Sequence, residues 1–167
     1  MESVQNTHNS GEFDRLHNTL LAVVGTFNRP QRDAMMIEQA GVTLDRALFP
    51  LLVQIGRFGP VGIVELADRV GRDYTTVSRQ VAKLEQTGLA LRQKNVRDKR
   101  INEAVITEAG KQITDRIDRA RNRIYQDLFQ SWSPEEREQF EVLLSRFTAD
   151  FVALDNSRVK QDAEKEG

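Results

Sequence analysis

The stretch from Ile63 to Arg100, IVELADRVGRDYTTVSRQVAKLEQTGLALRQKNVRDKR, decides the reading of this chain. Ile63, Leu66, Ala67 and Val70 recur at i, i+3, i+4 and i+7, the apolar stripe of a short helix. Gly71-Arg72-Asp73 then breaks it. Gly tolerates the positive φ that ends a helix, and Asp is a good N-cap for the next. Val77, Val81 and Leu84 mark the buried face of that second helix. At about 100° per residue, Thr75, Arg79 and Lys83 fall on the opposite side, flanked by Thr76, Ser78 and Ala82. Gly88 ends the helix. Leu89, Leu91 and Gln93 alternate like a strand, Asn95 to Arg100 reads as a polar basic hairpin tip, and Ile101 to Thr107 as the return strand. Alternation in that return strand is imperfect at Ala104-Val105-Ile106.

Helix, turn, helix and hairpin together predict a winged helix. The outer face of the second helix is small, hydroxylated and cationic. Such a face suits a helix in a DNA major groove, where side chains near the bases must be short or must reach and donate. Three cations in the last four residues of the hairpin tip suit a minor groove or a phosphate ridge. The bland alternative is a small domain with a solvated basic loop.

These residues resemble the MarR family of transcriptional regulators. Asp73-Tyr74-Thr75-Thr76-Val77-Ser78-Arg79-Gln80-Val81, Lys83-Leu84-Glu85 and Gly88-Leu89 look like its recognition helix. Asp98-Lys99-Arg100 matches its Asp-x-Arg wing, and Thr107-Glu108-Ala109-Gly110 the Thr-Glu-x-Gly that opens its long C-terminal helix. The resemblance covers roughly residues 13–154. Arg72 stands where an aliphatic residue is usual, Tyr74 where a smaller or polar one is, and Ala90 where Val is common. These departures bear on base preference rather than on fold. The resemblance implies a mainly α, winged helix-turn-helix protein with a small β-hairpin wing, whose N- and C-terminal helices form a homodimer. It also implies a repressor or activator tuned by a small ligand or by oxidation.

The implied organisation is a flexible N-terminus (1–11), N-terminal dimerisation helices (12–44), a winged helix-turn-helix DNA-binding domain (45–107), C-terminal dimerisation helices (108–155) and a disordered tail (156–167). The periodicities agree with it. Phe13, Leu16, Leu20, Val23, Val24 and Phe27 stripe one helix. A second runs from Pro30 to Gly41. Leu48, Leu51, Leu52 and Ile55 stripe a third, with its regular part beginning near Pro50. Residues 56–62 read as a Gly/Pro-rich connection. Ile113, Ile117, Ala120, Ile124 and Leu128 mark a long helix. Ser133-Pro134-Glu135-Glu136 then forms a capping box ahead of Phe140, Leu143, Leu144, Phe147, Phe151 and Leu154. The winged module is too small to cover all these faces, which predicts a two-fold dimer. A monomeric helical cap burying the same residues is the alternative.

Composition narrows the function. The 167 residues are 39% apolar and 29% charged, an ordinary globular balance. The formal net charge is −1, but the division is uneven. Residues 57–100 hold ten Lys and Arg against five Asp and Glu, whereas residues 131–167 hold five against nine. A polyanion feels the local field more than the total. No Cys is present, which excludes disulfides, thiolate metal sites and thiol sensing in this chain. The polar start of the chain and its short apolar runs predict neither a secretion signal nor a membrane span, hence a cytoplasmic protein. No Ser/His/Asp set, P-loop or dinucleotide glycine pattern appears, and no enzyme is expected. His8 and His17 lack companions for a metal site, so neither metal nor cofactor is expected.

The favoured reading is a sequence-specific regulator of double-stranded, palindromic DNA. Arg72, Tyr74, Thr75, Thr76, Ser78, Arg79 and Lys83 would serve from the helix, and Arg97, Asp98, Lys99 and Arg100 from the wing. Arg72, Lys83, Arg97 and Lys99 would contact phosphates, and Arg100, held by Asp98, the minor groove. The resemblance places a small-molecule, aromatic or phenolic effector near Phe13, His17, Leu20, Leu48, Leu52 and Ile113. The rival is a winged-helix protein-interaction module without DNA affinity. Its docking face would carry exposed Leu, Tyr or Trp anchors, where this one carries Thr, Ser, Arg and Lys.

Overall fold

The computed structural model describes residues 7–165, with seven helices and three short strands among them. In chain order these are α1 (Thr7–Phe27), α2 (Pro30–Ala40), α3 (Phe49–Phe58), β1 (Val61–Gly62), α4 (Ile63–Val70), α5 (Tyr74–Gln86), β2 (Ala90–Lys94), β3 (Asn102–Ile106), α6 (Glu108–Leu128) and α7 (Pro134–Lys165). The chain falls into two compact units that divide between Asn122 and Arg123.

The first unit holds the winged helix. Its core gathers Leu51, Leu52 and Ile55 of α3, Leu66 of α4, Val77, Val81 and Leu84 of α5, and Ala90 and Ala104 of the sheet, all fully buried. The sheet order is β1-β3-β2, antiparallel throughout. The wing pairs Ala90 with Ile106 at its base and Lys94 with Asn102 at its tip. β1 lies within the Gly/Pro-rich connection. Two residues are too few to show alternation, and only pairing of Val61 with Ala104 and Gly62 with Glu103 defines the strand.

The phase of β2 differs from the reading by alternation. Leu91 is 58% exposed, and Ala90 points into the core. Leu89 is buried, but it precedes the strand and belongs to the turn out of α5. Arg92 and Lys94 therefore share the parity of the inward Ala90. The ragged pattern of β3 also has a cause. The neighbours Glu103 and Ala104, on opposite faces of the sheet, are both buried, so burial does not alternate along it.

Thr107 fastens the wing to α6. Its hydroxyl donates to the Gly88 carbonyl at 2.6 Å and accepts from the Gly110 N–H at 3.0 Å. A Cβ on Gly110 would sit 2.1 Å from the Leu89 carbonyl oxygen, so α6 can approach the turn out of α5 only with glycine there. The first unit continues into α6 through the buried Gly110, Thr114, Ile117 and Ala120. The expected boundary at residue 108 is thus a change of secondary structure and not of compact unit.

In the second unit, Ser133 and Glu136 form the anticipated capping box: Glu136 N–H donates to Ser133 Oγ at 3.1 Å and Ser133 N–H to Glu136 Oε2 at 2.7 Å. Phe129, Trp132 and Phe140 meet at the α6–α7 turn with ring centroids 5.1–6.4 Å apart. α7 runs to Lys165, through most of the tail expected to be disordered. Its residues after Pro134 include neither Gly nor Pro, and intrinsic helix propensity carries the helix where apolar periodicity ends. α1 likewise begins at Thr7, inside the expected flexible N-terminus. Residues 1–6 and 166–167 lie outside the described part.

Candidate nucleic-acid interface

The candidate surface is assembled from α5, the turn before it and the wing. α4 ends at Gly71, whose φ of 63° is left-handed. Asp73 starts α5 by accepting from the Thr76 N–H at 2.8 Å and the Thr76 hydroxyl at 2.6 Å. Those bonds stabilise the ionised carboxylate and hold the Asp73 pKa below its ordinary value. α5 therefore starts sharply, with its N-terminus at the protein surface. Thr75, Arg79 and Lys83 are exposed and Thr76, Ser78 and Ala82 half-buried, as helical geometry requires when Val77, Val81 and Leu84 fill the core. The side chains of Arg79 and Lys83 have no partner among the described residues. Tyr74, the first residue of α5, is 49% exposed.

Arg72 is turned to the protein instead of outward. Its guanidinium donates to the Ala47 carbonyl at 2.8 Å and to Gln80 Oε1 at 2.9 Å. Its Nη1 is therefore engaged within the protein, where the sequence placed Arg72 among the phosphate contacts. It braces the segment before α3 against the recognition helix, a task an aliphatic residue could not perform by hydrogen bonding.

The wing tip is a closed network. Asn95 Oδ1 accepts from the N–H groups of Arg97 and Asp98, both at 2.8 Å. Asp98 Oδ1 accepts from the Arg100 N–H and Nε, both at 3.0 Å, and Oδ2 from Nη2 at 2.9 Å. The Arg100 fork lowers the Asp98 pKa, and Asp98 in turn raises that of Arg100. Arg100 nonetheless leaves 91% of its side chain exposed. It is oriented without being consumed. The side chains of Arg97 and Lys99 are exposed, with no partner among the described residues.

Sequence reasoning missed Arg92. Its Nε lies 3.2 Å from Glu85 Oε2, its backbone N–H donates to Glu85 Oε1 at 3.0 Å, and its Nη2 donates to the Ser78 carbonyl. Arg92 thereby clamps the wing to the middle and end of α5. The signal was strand parity: an arginine two residues from the inward Ala90 must reach across the adjacent helix.

The residues expected near an effector are not gathered around one space. Leu48 and Leu52 lie in the closed core, Ile113 packs against it, Leu20 is half-buried, and Phe13 and His17 are exposed. A cavity of about 180 Å³ does lie between α3, β3 and α6, lined by Val53, Gly56, Ile106 and Thr114 with the charged Arg57, Lys111, Asp115 and Asp118. Among the described residues no cluster of His, Cys, Asp and Glu could hold a metal, and no helix is long and apolar enough to cross a membrane.

Comparison with known proteins agrees with this architecture. The sequence signature of the MarR family matches residues 44–101. The chain is 36% identical over 109 residues to the uncharacterized HTH-type transcriptional regulator YxaD of Bacillus subtilis (strain 168), covering 65% of this chain and 76% of that one. Among solved structures, a MarR family protein from Bacillus stearothermophilus superposes with a TM-score of 0.65 at 21% identity, over 89% of this chain and 99% of that one. The transcriptional regulator SlyA superposes with a TM-score of 0.63 at 26% identity, over 79% and 93%. Sequence and fold together show that the chain belongs to the MarR family of winged helix-turn-helix transcriptional regulators.

Proposed function

We propose that the protein is a homodimeric, sequence-specific DNA-binding regulator that recognises an inverted repeat. The observation that carries this reading is the chemistry of one surface. The outer face of α5 offers Thr75, Arg79 and Lys83 to a major groove, and the wing holds an exposed Arg100 in fixed orientation beside it. Arg79 reads a guanine edge, Lys83, Arg97 and Lys99 meet phosphates, and Arg100 enters the flanking minor groove. Tyr74, Thr75, Thr76 and Ser78 line the approach to the bases. A protein-docking face would show several large anchors, whereas Tyr74 is the one aromatic among these Thr, Ser, Arg and Lys residues.

Dimerisation is supported by what a single chain leaves exposed. Phe13, Leu16, Val23, Val24 and Phe27 of α1, and Phe140, Leu143, Leu144, Phe147 and Phe151 of α7, remain accessible to water. Contiguous apolar faces of this extent mark association surfaces, and a two-fold pair would present two copies of α5 to one duplex. The cytoplasmic location follows from a chromosomal target.

The small-molecule response enters this reading at the 180 Å³ cavity. It is smaller than the roughly 300–1,000 Å³ of ordinary ligand pockets, so a single-ring aromatic or phenolic compound suits it. Selection of bound sequences from a random DNA pool tests the central reading. Enrichment of a palindrome supports it, and the absence of any enriched sequence would favour the protein-interaction module.

A further inference from the structure

Glu103 is a carboxylate only 8% exposed, on the central strand β3. Buried carboxylates are costly unless paired, and both partners of this one are neutral amides. Gln93, its partner across the strand pair, donates from Nε2 to Oε2 at 3.3 Å, and Asn95 donates from Nδ2 to Oε1. The other end of the Asn95 amide, Oδ1, accepts from the N–H groups of Arg97 and Asp98. Asp98 then holds Arg100 by three hydrogen bonds. A continuous chain of hydrogen bonds thus runs from a buried carboxylate to an exposed cation of the wing. The same residues, Asn95, Arg100 and Glu103, line a half-open groove of about 520 Å³ beside Tyr74.

We infer that Glu103 is a positioning residue for DNA recognition, orienting Arg100 through Asn95 and the wing turn. The inference rests on the reading that the wing contacts DNA. Its logic is that Asn95 has two ends with opposite hydrogen-bonding character. When Glu103 fixes the donor end, the acceptor end can point only at the turn. Without that anchor the amide can rotate, the turn loses its cap, and Asp98 and Arg100 lose their shared orientation.

The sign of the effect separates this role from simple electrostatics. Glu103 brings a negative charge to a DNA-facing module, so its charge alone opposes binding. Glu103→Met removes both charge and acceptor, and Glu103→Gln removes the charge but keeps an acceptor for Asn95. Positioning predicts that Met weakens affinity for the selected DNA site about tenfold, the scale of one hydrogen bond to a charged group, while Gln binds nearly as the parent does. Electrostatics predicts that both bind more tightly. Asn95→Ala breaks the same chain from the loop side and should reproduce the loss even where Glu103→Met folds poorly. On an Arg100→Ala background, neither substitution should cause further loss. If Arg100→Ala weakens binding and Glu103→Met and Asn95→Ala do not, the inference is overturned and the wing reading stands. If Arg100→Ala itself has no effect, the wing reading fails and the inference fails with it.

Discussion

Asp98 puts a negative charge at the tip of a hairpin meant for a polyanion, and its geometry explains why. It holds the Arg100 fork through both oxygens and the Arg100 backbone through one. Removing it by Asp98→Ala should weaken DNA binding in a gel-shift titration, although charge alone predicts the reverse. Because Arg100 lowers the Asp98 pKa, this pairing is complete above the ordinary carboxylate range and disappears only as pH falls through the lowered value. Arg72 and Lys99 make an instructive pair. Lys99→Ala should reduce the log–log salt slope by about one unit for each phosphate that the lysine neutralises. Arg72→Ala should leave that slope unchanged and lower stability by about 1 kcal/mol in denaturant titration, since its bonds go to Ala47 and Gln80. The sequence showed which residues of α5 face outward, because helical periodicity settles it. It could not show that Arg72 is occupied, since the Ala47 carbonyl lies 25 residues away and only the fold brings it near. Nor could it show Glu103 as buried, because a charged residue in a short strand reads as exposed, and Gln93 and Asn95, which bond to it, lie eight to ten residues away.

At the scale of elements, the legible parts were those with a strong local signal. The Gly71 turn, the Asp73 cap and the Ser133 capping box depend on residues within a few positions of each other, and all stand where their chemistry puts them. β1 and the phase of β2 depend on pairing between distant residues, which periodicity along one strand does not reveal. The Thr107–Gly110 step shows why a short motif matters to the whole element. Gly110→Ala would drive a Cβ into the Leu89 carbonyl, where the wing base and α6 cannot separate without losing the Thr107 bonds to Gly88 and Leu89. The expected cost is about 2 kcal/mol or more, read as a fall in the denaturation midpoint. α7 carries a different kind of load. Truncation after Ser131 removes Phe140, Leu144, Phe147 and Phe151, and if these form the proposed dimer interface, sedimentation should show a dimer for the full chain and a monomer for the truncated one. A truncated chain that remains dimeric would place the interface elsewhere.

At the scale of the molecule, net charge was the least useful quantity and its distribution the most. A total of −1 conceals a reading module with twice as many cations as acids, and Arg79, Lys83, Arg97, Lys99 and Arg100 of that module are exposed. Arg92 joins the wing to α5 through Glu85 and Ser78, so the proposed recognition surface has its two parts linked directly. The most direct test is hydroxyl-radical footprinting of the selected DNA site with the parent protein and with Arg100→Ala. The account predicts a two-fold symmetric footprint with half-site centres about 10 bp apart, flanked by minor-groove protections that disappear in Arg100→Ala. A one-sided footprint, or flanking protections that persist without Arg100, would contradict it.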